Sequence, residues 1–167
     1  MKKVFLTLAF LLTTVVASAQ IYVGGGIGLK YNKPSEGDAT TSVCIKPEVG
    51  YQLNDKITVG AVLGADWVQD ASTTIKVEPY VRYTFLRMGN FEVFADGAVG
   101  FGMIKPEEGD NVTTWNVAVR PGVEYAINNK WSIAAHAGEI GYFDVDGENS
   151  IDVNLGNAVS IGVYYKF

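Results

Sequence analysis

The chain has 167 residues, 48% of them hydrophobic and 19% charged, and a formal net charge of −5. That acidic balance argues against nucleic acid as a partner. The single cysteine, Cys44, excludes an internal disulfide, and one His with one Cys does not make a structural zinc set.

Lys2 and Lys3 precede an apolar run over residues 4–17, and Ala17-Ser18-Ala19 supplies the small residues of a signal-peptidase site. The run is too short to remain as a transmembrane helix, so residues 1–19 read as a cleaved secretory signal peptide and residues 20–167 as one domain. Without Lys2 and Lys3, 11 basic and 18 acidic residues remain, a net charge of −7. No later run of apolar residues is long enough for a spanning helix. Membrane entry would have to be made by strands.

The spacing predicts eight strands. The first runs from about Ile21 to Tyr31, with Ile21, Val23, Ile27, Leu29 and Tyr31 on one face and Tyr22, Gly24, Gly26, Gly28 and Lys30 on the other. Val43 to Leu53 is the second, followed by an Asn54-Asp55-Lys56 turn and a third strand marked by Ile57, Val59, Ala61, Leu63, Ala65 and Trp67. Ile75 to Phe85 is the fourth, and residues 86–90 turn into the fifth at Phe91 to Met103. Trp115 to Tyr125 is the sixth. After Asn128-Asn129-Lys130, the seventh begins at Trp131 and loses its alternation past Glu139, as at a bulge. The eighth runs from about Ile151 to Phe167, where Val159, Ile161, Val163, Tyr165 and Phe167 alternate with Ser160, Gly162, Tyr164 and Lys166.

A repeat underlies the even strands, each of which carries Pro-x-Val-x-Tyr before a turn: Pro47/Val49/Tyr51, Pro79/Val81/Tyr83 and Pro121/Val123/Tyr125. Proline cannot donate to a ladder, so local bulges are expected at all three.

Alternation leaves open which face is inside. A soluble lipocalin-like barrel would enclose the apolar set, and a membrane barrel would turn it outward. Volume decides between them. The apolar face collects on the order of forty mostly bulky side chains, whereas an eight-stranded barrel is only wide enough for its interior to be filled. The other face is rich in Gly, Ala and Ser, as a crowded lumen requires. Aromatics sort to two levels as well. Tyr51, Tyr83, Phe85, Phe91, Tyr125, Trp131, Tyr165 and Phe167 fall at the short-turn end, and Tyr31, Trp67, Trp115 and Phe143 at the other, as interfacial belts would.

Signal peptide, eight alternating strands, short turns at one end, longer loops at the other and a terminal Phe together resemble the small outer-membrane β-barrel family of OmpA-type and OmpX-type barrels. The resemblance implies an all-β, antiparallel, up-and-down transmembrane barrel in the bacterial outer membrane. It also implies termini on the periplasmic side and an assembly signal at Val163, Tyr165 and Phe167. The surroundings would be outer-membrane lipid and lipopolysaccharide, the folding partner the barrel-assembly machinery, and the state monomeric. No wall-binding domain follows Phe167, so an OmpA-like anchor is not carried over.

Three regions are candidate sites. Lys46, Glu48, Lys76, Glu78, Arg82, Glu92, Asp96, Arg120 and Glu124 point inward with mixed signs and must pair in a narrow lumen. This reads as a plug of salt bridges, with a gated small-solute channel as the alternative. The long connections at residues 32–41, 69–73, 105–111 and 144–150 carry −1, −1, −2 and −3, the whole of the −7. The last, with Asp144, Asp146, Glu148 and Asp152, resembles a calcium loop but lacks the EF-hand spacing, and reads as a solvated acidic loop with weak divalent binding as the alternative. Ser132 and His136 share a face near Glu124, but four residues of strand separate a base from its nucleophile by about 13 Å, too far for catalysis. Cys44 reads as a small lumen residue. The expected role is structural or surface-interacting, with no cofactor and no enzyme activity.

Overall fold

The computed structural model describes residues 20–32, 40–68, 72–106 and 109–167. Residues 1–19, expected as a signal peptide, lie outside the described residues. Eight antiparallel strands form a closed barrel in sequence order: β1 Gln20–Asn32, β2 Thr40–Gln52, β3 Ile57–Val68, β4 Ser72–Met88, β5 Phe91–Pro106, β6 Val112–Ala126, β7 Trp131–Val145 and β8 Glu148–Lys166. Most strands reach further toward the long-loop end than apolar alternation alone indicates, because ladder pairing continues through polar residues such as Ser72, Thr73 and Thr74.

The apolar face is outward. Val49, Val81, Val123 and Ile161 are 51%, 51%, 37% and 57% exposed, while Glu78 is 6% exposed. This inversion excludes the soluble lipocalin-like alternative, whose apolar set would line the interior. The inside is built from large aromatics set against glycines. A Cβ at Gly50 would strike the ring of Tyr22, at Gly60 the phenol of Tyr80, and at Gly122 the ring of Phe94. Each glycine makes the room its neighbour fills.

The expected proline bulges are found at one position of three. Opposite β7 the β6 ladder slips by one residue between Val119 and Gly122, around Pro121. Beside Pro47 and Pro79 the ladder only skips: Ile45↔Ala65 resumes at Glu48↔Val62, and Val77↔Phe101 at Tyr80↔Ala98, with the register unchanged. Toward the preceding strand all three prolines pair in register, with Gly25, Ala61 and Ala95. A residue directs its N–H to one neighbour only, so the missing donor costs one ladder and spares the other.

Two short turns are copies of one another. Asn54 Oδ1 accepts from the backbone N–H of Lys56 and Ile57, both at 2.9 Å, and Asn128 Oδ1 accepts from Lys130 and Trp131 at 2.8 and 2.9 Å. The copy extends to the next even strand. Thr84 N donates to Lys56 O at 2.8 Å and Lys166 N to Lys130 O at 2.7 Å. The Tyr83–Phe85 and Tyr165–Phe167 rings both meet edge-on at 5.1 Å.

Residues 144–150, expected as a loop, form a two-residue hairpin turn instead. Val145 pairs with Glu148, Asp146 and Gly147 both take positive φ (56° and 84°), and Gly147 N donates to Asp144 Oδ1 at 3.2 Å. Asp-Gly is the sequence a type I′ turn favours. The 86–90 turn likewise shrinks to Gly89-Asn90, with Phe85 accommodated at a bulge between Thr84 and Leu86.

Candidate functional site

The lumen gathers its charges into two groups. The group nearer the short turns is centred on Arg82 of β4. Its guanidinium grips Asp96 of β5 through Nε–Oδ1 at 2.7 Å and Nη2–Oδ2 at 2.9 Å, the two-pronged geometry that suits Arg and carboxylate. Nη1 reaches Glu124 Oε2 of β6 at 3.4 Å, and Nη2 lies 3.6 Å from Glu48 Oε1 of β2. The guanidinium carbon sits 3.8 Å from the centre of the Phe94 ring, which covers a face that no hydrogen bond could satisfy.

Glu48 is in turn held by three phenols. Tyr22 of β1 donates to Oε1 at 3.0 Å, Tyr164 of β8 to Oε2 at 2.9 Å, and Tyr80 of β4 also donates to Oε1. Lys166 Nζ meets Glu124 Oε1 at 2.9 Å, and His136 Nε2 of β7 meets Asp96 Oδ2 at 2.9 Å. Every strand except β3 contributes a side chain. The network spans the closure as well, since Tyr22 and Tyr164 meet edge-on at 5.6 Å across the β1–β8 seam.

The second group lies toward the long loops. Glu78 is paired with Lys76 at 2.6 Å and with Arg120. Lys46 makes no ion pair among the described residues. Glu92, beside Glu124 on the inward face, stands outside both groups and pairs at 2.9 Å with Arg87 near the short-turn mouth. That mouth is open to solvent and lined among others by Arg82, Arg87, Glu92, Glu124 and Lys166.

Sequence reasoning therefore found most of the charged members and missed Lys166 and the aromatic partners. Tyr22, Tyr80, Phe94, Tyr164 and Lys166 all occupy inward positions of the strand alternation. The signal that could have found them is a large aromatic among glycines on the small-residue face. Ser132 is buried on the same strand as His136, whose imidazole is engaged by Asp96. Among the described residues no three His, Cys, Asp or Glu side chains are arranged to hold a metal ion.

The aromatics take their places on the outer surface. Tyr83, Tyr125, Trp131 and Phe167 are exposed at the short-turn end, where Trp131, Tyr165 and Phe167 form a continuous edge-on series and Tyr51 lies half-buried. Trp67 and Trp115 are exposed at the other end. The side chain of Tyr31 lies outside the described residues. Phe143 is a correction: it pairs with buried Asn116 and so faces inward, and its neighbour Tyr142 packs on Trp115 at 5.2 Å. The slip around Pro121 inverts the inside-outside order of β7 from that point on.

An inside-out closed barrel with charges in its interior and a continuous apolar exterior defines an integral β-barrel of the outer membrane. The chain belongs to the family described as outer membrane protein beta-barrel domain, whose family model matches residues 4–167. No curated protein sequence matches it. Among solved structures it is similar in fold to Neisserial surface protein A (15% identity, TM-score 0.60, covering 89% of this chain and 96% of that one). It is similar too to the N-terminal β-barrel domain of Pseudomonas aeruginosa OprF (11% identity, TM-score 0.61, covering 89% and 97%). It is thus a protein of the bacterial outer membrane.

Proposed function

We propose that the chain is a structural barrel that conducts no solute and works through the surface at its long-loop end. The observation that supports this is Arg82, held across the lumen by Asp96, Glu124 and Glu48 and capped by Phe94. A conducting path would have to separate these pairs, and breaking a buried pair costs about 3–5 kcal/mol. On this reading the short turns and both termini face the periplasm and the acidic connections face outward. Tyr51, Tyr83, Tyr125, Trp131, Tyr165 and Phe167 then form one interfacial belt and Tyr31, Trp67 and Trp115 the other. The barrel works as a monomer in lipid and lipopolysaccharide, inserted by the barrel-assembly machinery through Val163, Tyr165 and Phe167. No catalytic role is assigned, because four residues of strand separate Ser132 from His136.

Planar-bilayer recording tests the reading. Purified wild-type barrel should give no stepwise current, and Arg82→Ala, which removes the central cation, should give unitary steps. Steps from the wild type would overturn the proposal in favour of a small-solute channel.

A further inference from the structure

The two copied turns share a cap but differ in charge. Asn54-Asp55-Lys56 carries a carboxylate and an ammonium, whereas Asn128-Asn129-Lys130 carries the ammonium alone. In the first turn Asp55 is almost fully exposed, with Arg87 Nη1 at 4.0 Å, and Ile57 follows Lys56. In the second, Trp131 follows Lys130, and the Asn128 side chain holds the backbone N–H of both.

The exposed Lys130 side chain is held in place. Its Nζ donates to Tyr165 Oη at 3.3 Å and lies 5.7 Å from the centre of the same ring. The ammonium is thereby fixed beside Trp131, Tyr165 and Phe167, whose rings meet edge-on at 5.0 and 5.1 Å on the outer surface. Lys130 makes no ion pair among the described residues, and residues 126–133 and 161–167 around it are all described. The polar groups gathered here are donors. The ammonium has N–H groups to spare after serving Tyr165, the phenol that accepts from it keeps its own O–H, and the Trp131 indole can only donate. Interfacial aromatics lie at the level of the lipid head groups, so the negative charge that these donors call for is one that a phospholipid carries at that depth.

We propose that the β6–β7 turn is a binding site for the head-group phosphate of an anionic phospholipid, formed by Lys130, Tyr165 and Trp131, and that its copy at the β2–β3 turn is not. At the copy Asp55 already supplies negative charge, and Ile57 has no donor to offer. The acyl chains lie along the outward face of β7 and β8, where Ile133 and Val163 pair and are 39% and 47% exposed. A lipid fits better than an acidic peptide, because the site is continuous with the apolar surface that the bilayer covers. The site is outside the barrel, so it stands whether or not the lumen conducts. On the orientation proposed above it faces the periplasmic leaflet, and symmetric vesicles make its test independent of that orientation.

Trp131 serves as the reporter. Protein carrying Trp67→Phe and Trp115→Phe, which leaves Trp131 as the sole tryptophan, is refolded into phosphatidylcholine vesicles. These contain a small fraction of phosphatidylglycerol or phosphatidylcholine brominated near the head-group end of its acyl chains, and a heat-modifiability gel verifies a closed barrel for each variant. Trp131 emission should be quenched at an anionic-lipid fraction about fivefold lower than that needed with phosphatidylcholine, the effect of one lysine near a charged head group. Lys130→Gln should remove this preference, and Asn129→Asp, which gives the turn the carboxylate of its copy, should weaken it. Lys56→Gln should leave it unchanged. Equal quenching by the two lipids, a preference that survives Lys130→Gln, or the same preference in protein that keeps only Trp115 would overturn the site. A preference lost in Lys56→Gln as well would overturn the distinction between the turns. Inorganic phosphate added at constant ionic strength should not relieve the quenching, and relief would overturn the lipid in favour of a free anion.

Discussion

Arg82 shows how one side chain can set the cost of a whole interior. Its guanidinium serves Asp96, Glu124 and Glu48 together, so replacing it strands several carboxylates at once. Arg82→Met is expected to destabilise the refolded barrel by about 3–5 kcal/mol, read from urea unfolding in lipid vesicles, since the loss is that of unpaired buried charge. Replacing Asp96 by Asn in the same protein should recover part of it. Gly25 is limiting for a different reason. Its φ of 150° lies where side chains are rarely found, and a Cβ there would strike the backbone of Lys46 and Pro47 on the facing strand. Gly25→Ala should lose the heat-modifiable band on gels. Gly97→Ala, where a Cβ would make only an ordinary contact with Val81 O at 3.9 Å, should keep it.

At the scale of elements, the hairpins are held by local chemistry repeated in both halves of the chain. Asn54 and Asn128 each satisfy two backbone donors that a two-stranded turn would otherwise leave to water. Either Asn→Ala change should cost about 1–2 kcal/mol, one ordinary hydrogen bond per donor lost, and the two should be nearly equal because the turns are copies. Unequal losses would mean that the neighbouring Asp55 and Asn129 matter more than the shared cap. The duplicated Tyr83–Phe85 and Tyr165–Phe167 strand ends place matching aromatic pairs four strands apart, so each half of the barrel carries its own edge-on pair at the short-turn end.

For the whole molecule, the governing fact is the exchange of inside and outside. The outer surface has lipid as its solvent, so Val81→Arg, on the lipid face midway along β4, should destabilise by about 2–4 kcal/mol in vesicles. A soluble barrel would accept the same change at its surface with little loss. In the sequence, residues 32–41, 69–73, 105–111 and 144–150 carry the whole excess of acidic over basic residues found in residues 20–167.

Period-two alternation in residues 20–167 was enough by itself to determine the strand count and, through the volume of the apolar set, the orientation of the barrel, while the antiparallel order was implied by the resemblance to small outer-membrane barrels. Those properties depend on local pattern and on bulk, both of which a sequence carries openly. The identities of the charged lumen residues were legible for the same reason, as polar positions on a fixed face. Tertiary structure alone decided their partners: that Glu48 is held by phenols from β1, β4 and β8, that Lys46 has no ion pair among the described residues, and that Glu92 belongs with Arg87 at the rim. Contacts across a lumen depend on stagger between strands distant in the chain, which alternation does not encode. The same holds for the slip around Pro121, which turned Phe143 inward and Tyr142 outward.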